Sequence, residues 1–432
     1  MDVKDKYLDD FKKFAPAHAN GLSDLRNKAI GHFETLGFPG KRNEEWKYTN
    51  ITPILDSNFR FPESGFTFSR MDVLNRLNMN EDICLVVLEN GKFNAAVSDK
   101  ELPPGLVIST LKNAKDSPVV KAHFSKYADM QSDAFAALNT AFFTEGLLIA
   151  VEPGKHIEKP LIIAEISQGQ ESVICHNRLL VVAERNASLK AGYVSVSGNG
   201  TLQTFTNVVN EIVVEENASL EFDLFQNENS HAFQVCNTFV SQHGNSRFTI
   251  NTVSLGGNIV RNKLHIALEA SNCETHLYGL YIAGENQLID NHTAVAHRKP
   301  HSQSNQLYKG IIGGSAHGVF NGKIMVEKDA QKTNAYQSNK NILLGNDAVI
   351  NAKPQLEIFA DDVKCTHGAT TGQMDDEALF YLRSRGINEM QAKAMLNKAF
   401  ASDILNNVTI PALHDLLATE LEDKLIRAHA HE

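Results

Sequence analysis

Val181-Val182-Ala183-Glu184-Arg185-Asn186-Ala187-Ser188-Leu189 returns 31 residues later as Ile212-Val213-Val214-Glu215-Glu216-Asn217-Ala218-Ser219-Leu220. Looser echoes follow at Asn245-Ser246-Arg247-Phe248 and Asn272-Cys273-Glu274-Thr275, so a strand-length motif recurs about every 27–31 residues. Matched aliphatic runs with turn residues at matched places are the mark of stacked β-coils. One coil cannot bury its inward face alone, and successive coils share a continuous aliphatic core. The competing topology, an antiparallel sandwich, needs regular Asn-Gly or Asp-Gly hairpins. The region offers only Asn199-Gly200 and Asn321-Gly322. The reading is therefore a mainly β chain with a right-handed parallel β-helix core.

Working outward, the strand-rich texture runs over residues 146–372, rich in Val, Ile, Leu, Phe and Thr and broken by Asn and Gly. Residues 1–145 form a helical and mixed region. Phe11, Phe14, Leu22, Leu25, Ile30, Phe33 and Leu36 recur at rough helical spacing, and Gly37-Phe38-Pro39-Gly40 ends the pattern. A short buried strand is expected at Ile83–Leu88, and an amphipathic helix over 129–145. Residues 373–432 turn helical: Asp375 is a natural N-cap, Gly386 a C′ residue, and Asn388 with Gln391 resembles a capping box. Pro411 opens a last helix with Leu413, Leu416, Leu417 and Leu421 on one stripe.

Composition narrows the function. A net charge of −10 argues against a polyanion-binding surface, so nucleic acid is not an expected partner. The charged start, Met1-Asp2-Val3-Lys4-Asp5-Lys6, leads into no apolar segment of the kind a secretory leader carries. Runs such as Leu147–Val151 are too short to span a bilayer. Five scattered cysteines, at 84, 175, 236, 273 and 365, contain no Cys-x-x-Cys pair and make neither a disulfide framework nor a zinc finger. A cytoplasmic protein is expected.

Four constellations invite chemistry. In Lys364-Cys365-Thr366-His367-Gly368-Ala369-Thr370, extended backbone puts Cys365 and His367 on one face, where together they could hold a thiophilic metal such as iron or zinc. Two ligands are half of a site, and the rest would come from elsewhere in the fold or from a partner. The plainer alternative makes Cys365 a small buried hydrophobe and His367 a turn residue. His292, His297 and His301 stand at intervals of five and four, which share no strand face, and read as structural or surface histidines. The glycines of 310–314 and 318–324 lack the Gly-x-x-x-x-Gly-Lys-Ser/Thr order of a phosphate loop and read as strand-turn glycines. Trp46, the only tryptophan, reads as an anchor packing the N-terminal region.

These residues together resemble the SufB/SufD family of iron–sulfur cluster assembly proteins. Pro39 with Glu45-Trp46-Lys47-Tyr48-Thr49 is similar to the family's N-terminal signature. His292–His297, Ser304 with Tyr308–Ile311, Phe320–Ile324 and Gln337–Leu344 are similar to its core. Residues 364–387 resemble the SufD branch, with Lys-Cys-x-His-Gly-Ala-Thr where SufB members carry Glu-His-Glu-Ala. The resemblance implies a non-catalytic scaffold that pairs with SufB through the β-helix ends and binds two copies of the SufC ATPase. It implies SufC docking on the C-terminal helices, at Leu379, Tyr381, Leu382, Arg383, Arg385, Gly386, Met395 and Phe400. No cofactor would be resident; iron or a nascent cluster would be shared transiently with SufB at a half-site of His367 and Cys365. The alternatives are a β-helix carbohydrate-active enzyme and a purely structural homo-oligomeric scaffold, and a homodimer of the chain alone stays open.

Overall fold

The computed structural model describes residues 3–18, 21–62, 68–79, 82–169, 171–198 and 202–430. A parallel β-solenoid of about seven turns forms its centre. The repeat that opened the sequence pairs with itself: Val181 stands opposite Ile212, and Ser188 opposite Ser219, in parallel register. Successive strands alternate between a ten-stranded and a nine-stranded sheet among the described residues. Asn321-Gly322 makes no hairpin and lies inside the strand His317–Val326. Asn199-Gly200 lies outside the described residues.

The Asn of the repeat builds one corner of each coil. Asn186, Asn217, Asn245 and Asn272 all take left-handed backbone, with φ of 55–61°, and His301 and Lys332 continue the series at 64° and 62°. Asn tolerates this region better than other side chains that carry a Cβ. Each corner N–H donates to the next coil, as from Asn186 to the Glu216 carbonyl at 3.0 Å and from Asn217 to the Gly244 carbonyl at 2.9 Å. Side chains ladder as well, Asn217 Nδ2 donating to Asn186 Oδ1 at 3.0 Å and Asn272 Nδ2 to Asn245 Oδ1 at 3.0 Å.

The solenoid interior is divided. Toward the Asn corners it is aliphatic, with Val181, Ala183, Leu189, Ile212, Val214 and Leu220 all buried. Toward the opposite corners the inward residues become amides, hydroxyls and carboxyls, among them Glu165, Thr206, Gln226, Glu228 and Gln234, all buried. Buried polar groups are tolerable only when paired, and most of these bond one another across the coils.

The two ends differ. The N-terminal end finishes in short strands that run against their neighbours: Lys92–Phe93 on Cys84–Glu89, and Leu106–Thr110 on Leu147–Val151. Both sheets thus take in strands from before residue 146. At the C-terminal end the outermost strands, Val349–Ile358 and Lys364–Gly372, are parallel to their inner neighbours and bear no further strand among the described residues.

The N-terminal helices Val3–Ala17 and Ser23–Leu36 pack on the solenoid through a third, Ala134–Phe142. That third helix is shorter than the expected one and not amphipathic, since all nine of its residues are buried. It is sandwiched between helices and sheet, so it has no wet face. Trp46 is also more than a local anchor. The Arg261 guanidinium lies 3.9 Å from its ring centroid, so Trp46 clamps the N-terminal region to the solenoid. Arg261 pairs with buried Asp290, which also accepts from the Thr49 hydroxyl. Burial alone would raise Asp290, but Arg261 and His292 hold its carboxyl down at about 2. A second clamp is Glu211, which accepts from the N–H groups of Ser125, Tyr127 and Ala128 and pairs with buried Arg178 at 2.6 Å.

After the solenoid come helices Asp376–Ser384, Glu389–Leu405 and Pro411–Ala430. Asp375 caps the first by accepting from Glu377 N and Ala378 N, Gly386 follows it at φ 88°, and Asn388 caps the second through Gln391 N. Leu413, Leu416, Leu417 and Leu421 are buried in one cluster with Ile162, Val194 and Val253 of the sheet. Among the described residues no helix is long and apolar enough to cross a membrane.

Candidate metal half-site and docking surfaces

The last strand, Lys364–Gly372, lies in register on Asn334–Leu344, with Cys365 opposite Ala335 and His367 opposite Gln337. In the inner strand Ala335, Gln337, Asn339 and Asn341 are buried while Tyr336 and Lys340 are exposed, so the odd positions face inward. Strand alternation gives Cys365 and His367 that same inward face. Among the described residues no coil lies above them. Cys365 is half-buried against the small cluster of Ile324, Val326, Ala330, Ala335 and Ala360, and His367 is exposed. Desolvation pushes the Cys365 thiol up from its ordinary value, partly offset by a hydrogen bond with the Ala335 backbone. A thiol in this state needs a cation nearby to become a thiolate.

Among the described residues no three His, Cys, Asp or Glu side chains converge to hold a metal ion. The donor types at 365 and 367 suit iron, and an ion there would draw its other ligands from whatever covers the open end.

The remaining sequence candidates are structural. His292 pairs with Asp290 at 3.0 Å. His297 is buried against the Ser304 hydroxyl at 2.9 Å, with burial holding it at about 4. His301 occupies a left-handed corner. The structure keeps the three apart in role. Cys84, Cys175, Cys236 and Cys273 are buried, and desolvation raises every one of their thiols. The glycines correct their first reading as turn residues. Gly314 does turn, at φ 56°, but Gly310 and Gly322 are mid-strand. A Cβ at Gly310 would meet the Tyr281 ring at 2.5 Å, and one at Gly322 would meet Gln337 Nε2 at 2.4 Å.

The expected docking residues divide. The helix Asp376–Ser384 buries none of its residues. Tyr381 is 61% exposed and Met395 49%, and Arg383, Arg385 and Gly386 are exposed. Leu379 and Leu382 are half-buried. Phe400 instead faces the solenoid: Lys309 Nζ lies 4.4 Å from its ring centroid and donates to the Phe400 carbonyl at 2.7 Å and to Asp403 at 2.6 Å. Two residues of the same surface were missed, Phe380 at 74% exposed and Met390 at 48%. Phe380 was legible as an apolar residue out of phase with Leu379 and Leu382, since i and i+1 cannot share a helix face.

Residues 1–163 match the family model described as the SufBD protein N-terminal region. Residues 165–400 match the one described as the SufBD core domain of SUF system FeS cluster assembly. The chain is 32% identical to iron–sulfur cluster assembly protein SufD of Escherichia coli, over 87% of this chain and 88% of that protein. It is 31% identical to an iron–sulfur cluster assembly SufBD family protein of Synechocystis, over 96% and 94% of the two chains. Protein ABCI7, chloroplastic, of Arabidopsis thaliana is 26% identical over 92% and 85%.

Proposed function

The chain belongs to the SufBD family of the SUF iron–sulfur cluster assembly system, and on that premise we propose that it is a non-catalytic scaffold subunit carrying half of an assembly site at its open solenoid end. Iron, or a nascent cluster, is cargo on this reading. His367 and Cys365 offer an imidazole and a thiolate, and a SufB counterpart covering the open end supplies the remaining ligands. The single observation that carries the reading is the asymmetry of the ends: the long parallel edge strands Val349–Ile358 and Lys364–Gly372 lie at the end that also holds Cys365 and His367, whereas the other end finishes in short reversed strands. Edge strands with free N–H and C=O groups are ready for strand addition.

The exposed aromatic and methionine surface of residues 380–395 is where a SufC ATPase would dock. The same helices are tied to the sheet through Phe400 and Lys309, so closure of a SufC pair would pull on the solenoid and rearrange the covered end.

The test is co-purification of the chain with SufB and SufC counterparts, wild type against His367→Ala, counting iron and acid-labile sulfide. We expect an intact complex that has lost at least about half of its iron. Unchanged iron would reduce the motif to architecture. A chain that captures neither counterpart would leave a self-associating scaffold.

A further inference from the structure

Beneath His367 runs a file of inward side chains. Gln306 Nε2 donates to Thr293 Oγ1 at 2.6 Å, and Gln337 Nε2 donates to Gln306 Oε1 at 3.0 Å. All three are buried. The file is built, because the missing Cβ of Gly322 is what leaves room for the Gln337 amide, whose Nε2 would otherwise stand 2.4 Å from it. The chain of donors stops at Gln337 Oε1. That oxygen is buried and has no hydrogen-bond partner among the described residues. A buried amide oxygen without a donor is costly, so its placement needs a reason. The residue stacked on it in the next coil is His367.

Resting on the assembly-site reading above, we propose that Gln337 is the positioning residue of the half-site, its Oε1 accepting the ring N–H of His367. Rotation of the exposed imidazole about its Cα–Cβ bond brings the ring over the amide. The bond fixes which ring nitrogen keeps its proton and presents the lone pair of the other to the open end. Histidine ligands are ordinarily oriented by an acceptor of this kind. Thr293 and Gln306 hold the acceptor still, and Gly322 sets its place.

The test uses the full chain labelled with ¹⁵N-histidine at pH 8. The His367 ring signals are those lost in His367→Asn. Gln337→Leu is expected to shift the His367 tautomer ratio by about twofold or more. Gln337→Glu keeps an acceptor, with the Gln306 amide turning over to donate to it, and is expected to hold the wild-type tautomer. A ratio unmoved by Gln337→Leu overturns the proposal. So does a ratio that Gln337→Glu and Gln337→Leu alter alike. Iron in the co-purified complex separates this idea from the one beneath it. Should the tautomer respond while His367→Ala keeps its iron, Gln337 positions a histidine that is not a ligand, and only the metal reading fails.

Discussion

Glu228 shows how the divided interior acts on a single group. Its carboxyl is buried and accepts from Thr206 at 3.3 Å, Gln226 at 3.4 Å and Gln234 at 3.3 Å. Desolvation outweighs these bonds and raises it to about 7. The folded protein therefore holds this proton more tightly than the unfolded chain does. Its contribution to stability is complete below about 4.5 and is lost as pH rises through 7, at roughly 1.4 kcal/mol per pH unit within that window. Buried His297, depressed to about 4, has the opposite sign and loses stability as pH falls below 6.5, so variant and wild type must be compared. Urea unfolding at pH 5 to 8 should show Glu228→Gln losing less stability than wild type as the pH rises. Parallel pH profiles would mean the carboxyl is not neutral in the fold. At this scale the sequence was partly legible. Cys365 and His367 could be placed on one face because alternation is a local property. Gln337 could not be placed beneath His367, because that depends on a register 30 positions away between separate coils.

At the scale of elements, the Asn corners were legible because the same chemistry recurs. Left-handed backbone at this corner of the coil selects Asn, and the aliphatic run before it supplies the inward face. The opposite corners repeat glycine instead, at Gly257, Gly284, Gly314 and Gly345, a residue that marks turns of every kind and so announced less. Asn217, at φ 59° and bonded to Asn186, is the test. Asn217→Val should lower the unfolding free energy by about 1–2 kcal/mol, because a β-branched side chain is strained there. Asn217→Gly should cost no more than about 0.5–1 kcal/mol, the loss of one exposed bond. Equal losses in urea melts would show that the side-chain ladder, rather than the backbone, sets the corner. The helix Ala134–Phe142 marks the limit of periodicity. Its burial on every side comes from tertiary neighbours, and an apolar stripe could not announce it. Trp46 is similar, since its partner Arg261 is over two hundred residues away in the chain.

For the whole molecule, the open end is the feature that must be satisfied. Tyr336 is 46% exposed, Val349 47%, Ile358 40% and Phe359 63%, all on the two outermost coils and beside unpaired edges. With no SufB counterpart present, a second copy of the chain offers the same edges, and a two-fold axis would pair them. Sedimentation of the purified chain should show a concentration-dependent dimer, and Ile358→Lys should return it to a folded monomer. A dimer indifferent to that change would place the contact elsewhere. Addition of a SufB counterpart should convert the homodimer into the mixed pair.

The reversed strands at the other end then acquire a second meaning. A rod of stacked coils with two adhesive faces has a valence of two and grows head to tail into fibres of no fixed length. Ending the other way in short reversed strands, two residues at Lys92–Phe93 and five at Leu106–Thr110, leaves little edge to extend and lowers that valence toward one. Growth ends at the first encounter, and the architecture that amyloid shares becomes a device that counts to two.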